Sequence, residues 1–124
     1  MKSAKDLHIK NTNWIKDLLF YQDEIRIFIE LLQKNEEKNT DTQIKSEIME
    51  YLTQLKNIGT QIKSIIEEVN NHEHYLYEMV EGTELEMSII FPQGNDFAAK
   101  DMVDLKNHYQ DLKKRLFPFL TQLI

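Results

Sequence analysis

The sequence predicts an all-α fold, an antiparallel up-down-up bundle of three long helices. Three observations predict it. Helix breakers are scarce: the 124 residues hold three glycines and two prolines, and between Ser3 and Glu81 the sole breaker is Gly59. Three segments carry apolar residues at alternating spacings of three and four, the mark of helices packed side by side. One short, polar connection before Thr40 and one longer connection over 81–96 join them.

The first segment, about 5–36, has its stripe at Leu7, Asn11, Trp14, Leu18, Tyr21, Ile25, Phe28 and Leu32. The second, about 41–80, runs through Ile44, Ile48, Tyr51, Leu55, Ile58, Ile62, Ile65, Val69, His72, Leu76 and Met79. Its phase does not change at Gly59, which lies off the stripe. A single helix glycine costs only about 1 kcal/mol relative to alanine, so the segment reads as one long helix. The third, about 97–123, runs through Ala98, Met102, Leu105, Tyr109, Leu112, Leu116, Phe119 and Leu123.

Each boundary has a chemical signature. Thr40 and Gln43 form a capping box for the second helix. Thr83 and Glu86 form another, which opens a short helix over 84–91 that Pro92 ends. Gln93–Asp96 then turns, with Asn95 or Asp96 capping the last helix. Pro118 removes one N–H and meets the carbonyl of Lys114, so a kink or an early end is expected there. The chain reads as one domain over 1–124, with no internal repeat or low-complexity tract.

The totals exclude several classes. A formal charge of −6 without a basic run argues against a nucleic-acid partner, and equally against an anionic membrane surface. No apolar run approaches the length needed to span a bilayer, and the N-terminus lacks the apolar block of a signal peptide. Without cysteine there are no disulfides, thiolate metal sites or cysteine nucleophiles, which suits a cytoplasmic protein. No phosphate-cradling glycine loop, GxSxG or HExxH is present.

The first helix is apolar beyond its stripe, at Ile15, Leu19, Phe20, Ile27, Ile29 and Leu31. A helix with apolar residues nearly all round needs cover on more than one side. The 84–91 segment would supply part of it and a second copy of the chain the rest, so a homodimer is expected.

Only Asn11 and His72 are polar among the stripe positions. Turning the first helix into the second near Glu36 and Asp41 sets His8 level with Val69 and Asn11 level with Ile66. A third helix starting where the second ends sets His108 level with Val69 and Asp104 within a turn of His72. Glu68 with His72, and Asp104 with His108, are i,i+4 pairs on one helix face. Carboxylate and imidazole from facing helices are how bundles hold Zn, Fe or Mn. The candidate metal set is therefore His8, Glu68, His72, Asp104 and His108, with Glu67 and His74 in reserve. Each has a plainer reading. A seam histidine near a bundle end is commonly a solvated or hydrogen-bonded terminus, or a register device. His8 and His108 lie one residue off their stripes, and Asp104 with His108 is also an ordinary intrahelical pair. The aromatics Trp14, Tyr21, Phe28, Tyr51 and Tyr109 read as core. A pocket at the polar end, lined by Trp14 and the tyrosines with 84–91 as a lid, is a third reading.

Leu7, His8, Trp14, Phe20, Tyr21, Asp23, Glu24, Ile25, Phe28 and the run Lys38, Asn39, Thr40 fit a recurrent pattern. It reads L-H-x-x-H-x-x-W, then F-Y-x-D-E-I-x-x-F, ending in K-N-T. His72, Glu73 and Leu76 fit on the second helix. In these residues the chain resembles a small group of uncharacterised bacterial helical proteins. The resemblance covers much of the first two helices. It implies a helical bundle and no nameable activity. The chain departs from the pattern at Asn11 and Glu67, where the group tends to carry histidine. If that group binds metal there, this member has a changed or lost site.

The function expected from the sequence is a non-catalytic interaction or structural protein that self-associates. A transition-metal-binding bundle is the alternative.

Overall fold

The computed structural model describes residues 4–80 and 84–124, with side chains placed over 5–78 and 99–124. It is an all-α protein of three long helices in up-down-up order: α1 (Ala4–Lys38), α2 (Thr42–Val80) and α3 (Glu84–Leu123). At 1.5 Å per residue each is roughly 50–60 Å long. The central α2 packs closely against both neighbours, whereas α1 and α3 touch sparingly. No helix among the described residues is long and apolar enough to cross a membrane.

The core follows the three stripes. Leu18, Ile25, Phe28 and Leu32 from α1 meet Ile48, Leu55, Ile58, Ile62, Ile65 and Val69 from α2, and Met102, Leu105, Tyr109, Leu112 and Leu116 from α3, in one buried cluster. Fully burying each aliphatic side chain contributes about 1.5–3 kcal/mol, and that burial holds helices this long together in water. Leu52 and Leu120 are buried as well, one position beyond the stripes. The helix faces turned inward are thus wider than a strict two-position seam.

α2 passes Gly59 unbroken, and a Cβ built there would meet nothing within 4 Å. Its N-cap is Asp41 rather than the expected Thr40. The Asp41 carboxylate accepts from the N–H groups of Gln43 at 2.9 Å and Ile44 at 3.4 Å, while its carbonyl accepts from Lys45 at 3.0 Å. A carboxylate serves these orphan donors as well as a hydroxyl does and adds charge complementary to the helix dipole.

The third helix corrects the sequence reading most. The short helix over 84–91, the turn at Gln93–Asp96 and a start near 97 are replaced by a single helix from Glu84 to Leu123. It runs through Pro92, Gly94 and Pro118. A proline removes one ladder bond, and the remaining bonds of a 40-residue helix carry it past such a gap. Pro118 is exposed, while Leu116 and Leu120 on either side are buried.

Candidate functional site

Each α2 seam of the described structure holds a polar concentration. The first joins α1 to α2. Asn11 is 1% exposed, the sole polar residue among the fully buried side chains described. Its amide nitrogen donates to His72 Nδ1 at 3.0 Å and to Glu73 Oε1 at 2.9 Å. The other Glu73 oxygen lies 2.6 Å from His8 Nδ1. One amide therefore uses both of its protons across the seam, and one carboxylate links two residues of α1. Burial lowers the pKa of His72, and the Glu73 carboxylate opposes that shift. A neutral imidazole accepting at Nδ1 is the form that suits the Asn11 donor.

The second concentration lies between α2 and α3. A cavity of about 320 Å³ opens there over Ile65 and Leu105, walled by Glu68, Asp101, Asp104 and His108. Burial raises the Glu68 pKa, and the Asp101 charge raises it further. Three carboxylates and one imidazole make this groove acidic.

The five candidate metal residues therefore divide. His8 and His72 belong to the α1/α2 node, and Glu68, Asp104 and His108 to the α2/α3 groove. The expected levels are off by one to two turns. Asn11 meets His72 rather than Ile66, His8 meets Glu73 rather than Val69, and His108 shares its groove with Ile65 rather than lying level with Val69. The early start of α3 accounts for the displacement of His108, because it moves every later α3 residue along α2. Among the described residues no group of three or more His, Asp or Glu side chains is placed to hold a metal ion. Glu67 is exposed, and His74 pairs with Glu78 one turn on, at 3.2 Å.

Trp14 and Tyr21 pack on the core, with the Lys10 ammonium 5.0 Å from the Trp14 ring centroid. The expected lid over 84–91 forms the first turns of α3, and its side chains lie outside those described.

Sequence reasoning passed over two residues. Glu73 is the hub of the node, and its signal was its position beside His72 on the flank facing α1. Glu24 is the other. It accepts from the Tyr109 hydroxyl at 3.1 Å and from Lys113 at 3.2 Å, joining α1 to α3. Burial, then the Glu24 charge, pushes the Tyr109 phenol far above its usual range, so it stays a hydrogen-bond donor. Lys106 reaches Asp17 at 3.1 Å two turns away along the same seam.

Compared with known proteins, the chain matches no family model, no curated protein and no solved structure.

Proposed function

We propose that this protein is a non-catalytic helical-bundle interaction protein that works as a self-associated assembly, a homodimer at its simplest. The supporting observation is what α1 leaves uncovered. Ile9, Leu19, Phe20 and Ile27 all point outward, each about half exposed or more. Met49, Tyr75 and Tyr77 on α2 and Val103 and Phe117 on α3 are exposed to a similar degree or more, and large apolar side chains left in water in such number suit a docking surface. The polar residues support the same reading. The α1/α2 node joins the two helices through side-chain hydrogen bonds and suits a register device, since a buried Asn–His contact penalises slippage of one helix along the other. A transition-metal role would require His8, His72, Glu68, Asp104 and His108 to converge, and they sit in two separate seams.

The test is the urea midpoint of unfolding at several protein concentrations. A self-associated native state loses stability on dilution, so its midpoint falls with concentration. A midpoint independent of concentration, with the chain monomeric, contradicts the reading.

A further inference from the structure

Glu73 dictates which way the Asn11 amide points. A carboxylate only accepts hydrogen bonds, so the Asn11 atom 2.9 Å from Glu73 Oε1 is the amide nitrogen and not the oxygen. The same nitrogen stands 3.0 Å from His72 Nδ1. His72 therefore accepts at Nδ1 and carries its ring proton at Nε2. The orientation of one residue, fixed by a second, sets the tautomer of a third.

A proton added at Nδ1 has no place in this arrangement. It sets an imidazole N–H against an amide N–H. Turning the amide over relieves that contact and presses the Asn11 oxygen against the Glu73 carboxylate. Either orientation puts like against like at a side chain that is 1% exposed. The surrounding charges do not remove the conflict. The Glu73 charge favours a proton on His72, and burial opposes it more strongly. From α1, His8 engages the other Glu73 oxygen, and Lys10 lies over Trp14. From α3, Asp101 and Asp104 face Glu68 in the other seam.

The place of the node makes the conflict local. The main buried cluster starts at Leu18 on α1 and ends at Val69 on α2. Leu7 and Leu76 are buried too, yet neither belongs to that cluster. Leu7 lies one turn before Asn11 and Leu76 one turn after His72, so in antiparallel helices the two leucines are level. The node thus stands between the main core and an outlying apolar pair. We propose that it is a proton-operated latch: proton uptake at His72 Nδ1 releases the first turns of α1, up to Trp14, from α2 and uncovers Leu7 and Leu76, while the bundle from Leu18 onward stays folded. The latch works alike in a single chain and in an assembly.

Native-state hydrogen exchange of the full chain tests it, at about pH 7.5 and about pH 5, in dilute urea, with each rate corrected for the intrinsic pH dependence of amide exchange. The opening that exposes amides 8–14 is expected to become about tenfold more populated at the lower pH, as for a ring whose free pKa is about 6.5, and to depend little on urea. In His72→Gln the rise is expected to vanish. Glu73→Gln separates the latch from a plain field effect. Without the carboxylate both amides can turn over together and offer an oxygen to the protonated ring, so the rise is expected to shrink, whereas loss of a favourable charge alone would enlarge it. A rise that is absent from the wild type, persists in His72→Gln, grows in Glu73→Gln or comes only through steeply urea-dependent exchange overturns the proposal. Should a variant lose helicity, nitrogen NMR of the His72 ring in the wild type decides. Nδ1 is expected to be unprotonated at about pH 7.5. A proton there at that pH, or one at about pH 5 with amides 8–14 as protected as before, overturns the latch.

Discussion

Asn11 on α1 and His72 on α2, separated by 61 positions in sequence, share a hydrogen bond of 3.0 Å inside an otherwise apolar seam. Glu73 completes the contact by taking the second Asn11 proton and reaching His8. These four residues hold the first two helices in one register. Around them aliphatic side chains would accept a slip of one turn with little loss.

Replacing Asn11 with alanine removes the donor that both His72 and Glu73 use. With Asn11 buried, the cost is expected at about 1–3 kcal/mol, the range for stranding a buried polar partner. Urea denaturation measures it through the midpoint at unchanged slope. An unaltered midpoint would mean that the node contributes nothing to the folded state.

His72 predicts a pH dependence of definite sign. Its folded pKa lies below the unfolded value, so the unfolded chain binds the additional proton. The stabilisation is present above the unfolded pKa of about 6.5 and is lost as pH falls through the folded one. Glu68, raised in the fold, works in the opposite sense at acidic pH. His72→Gln keeps an acceptor for Asn11 and cannot titrate, while Glu68 remains. The difference in stability between wild type and His72→Gln is expected to shift against the wild type as the solution is acidified below about pH 6.5. A difference constant with pH would place His72 outside the linkage.

Tyr109 has no exposed surface, and its hydroxyl donates to a half-buried carboxylate. Tyr109→Phe keeps the ring and removes that bond. A loss of about 1.5–3 kcal/mol is expected, as for hydrogen bonds to charged groups. Tyr51→Phe is the control, because the Tyr51 hydroxyl makes an exposed 3.3 Å bond to the Arg115 carbonyl. Equal effects of the two substitutions would contradict the importance given to the Tyr109–Glu24 contact.

Gly59→Ala is expected to stabilise the protein. The position is helical, and the added methyl meets nothing within 4 Å. Alanine exceeds glycine in a helix interior by about 0.8–1 kcal/mol, which the thermal midpoint reads directly. A lowered midpoint would show that the backbone at Gly59 is not regular helix or that another chain lies against it.

The pattern of side chains carried most of the fold. The alternating apolar spacing identifies the buried faces of all three helices, and Asn11 stands out because it breaks that spacing at a position the core then buries. Absolute level along the bundle was not legible in the same way. It depends on where α3 begins, and Pro92, Gly94 and the polar run around them read locally as a turn. Local propensity at those residues yields to the cooperativity of a long helix. A start near 97 sets His108 and Asp104 towards His72, whereas they line a different seam. Glu73 and Glu24, which fit the recurrent pattern, carry no expected site role because each lies beside a stripe rather than on it, where a charged residue ordinarily reads as solvated surface.

Self-association ties the exposed apolar side chains to the function proposed, and the mass in solution tests it most directly. Sedimentation equilibrium of the wild-type chain, from nanomolar to micromolar, is expected to show twice the 14.8 kDa chain mass, dissociating only on dilution. A single species of 14.8 kDa throughout that range would contradict it.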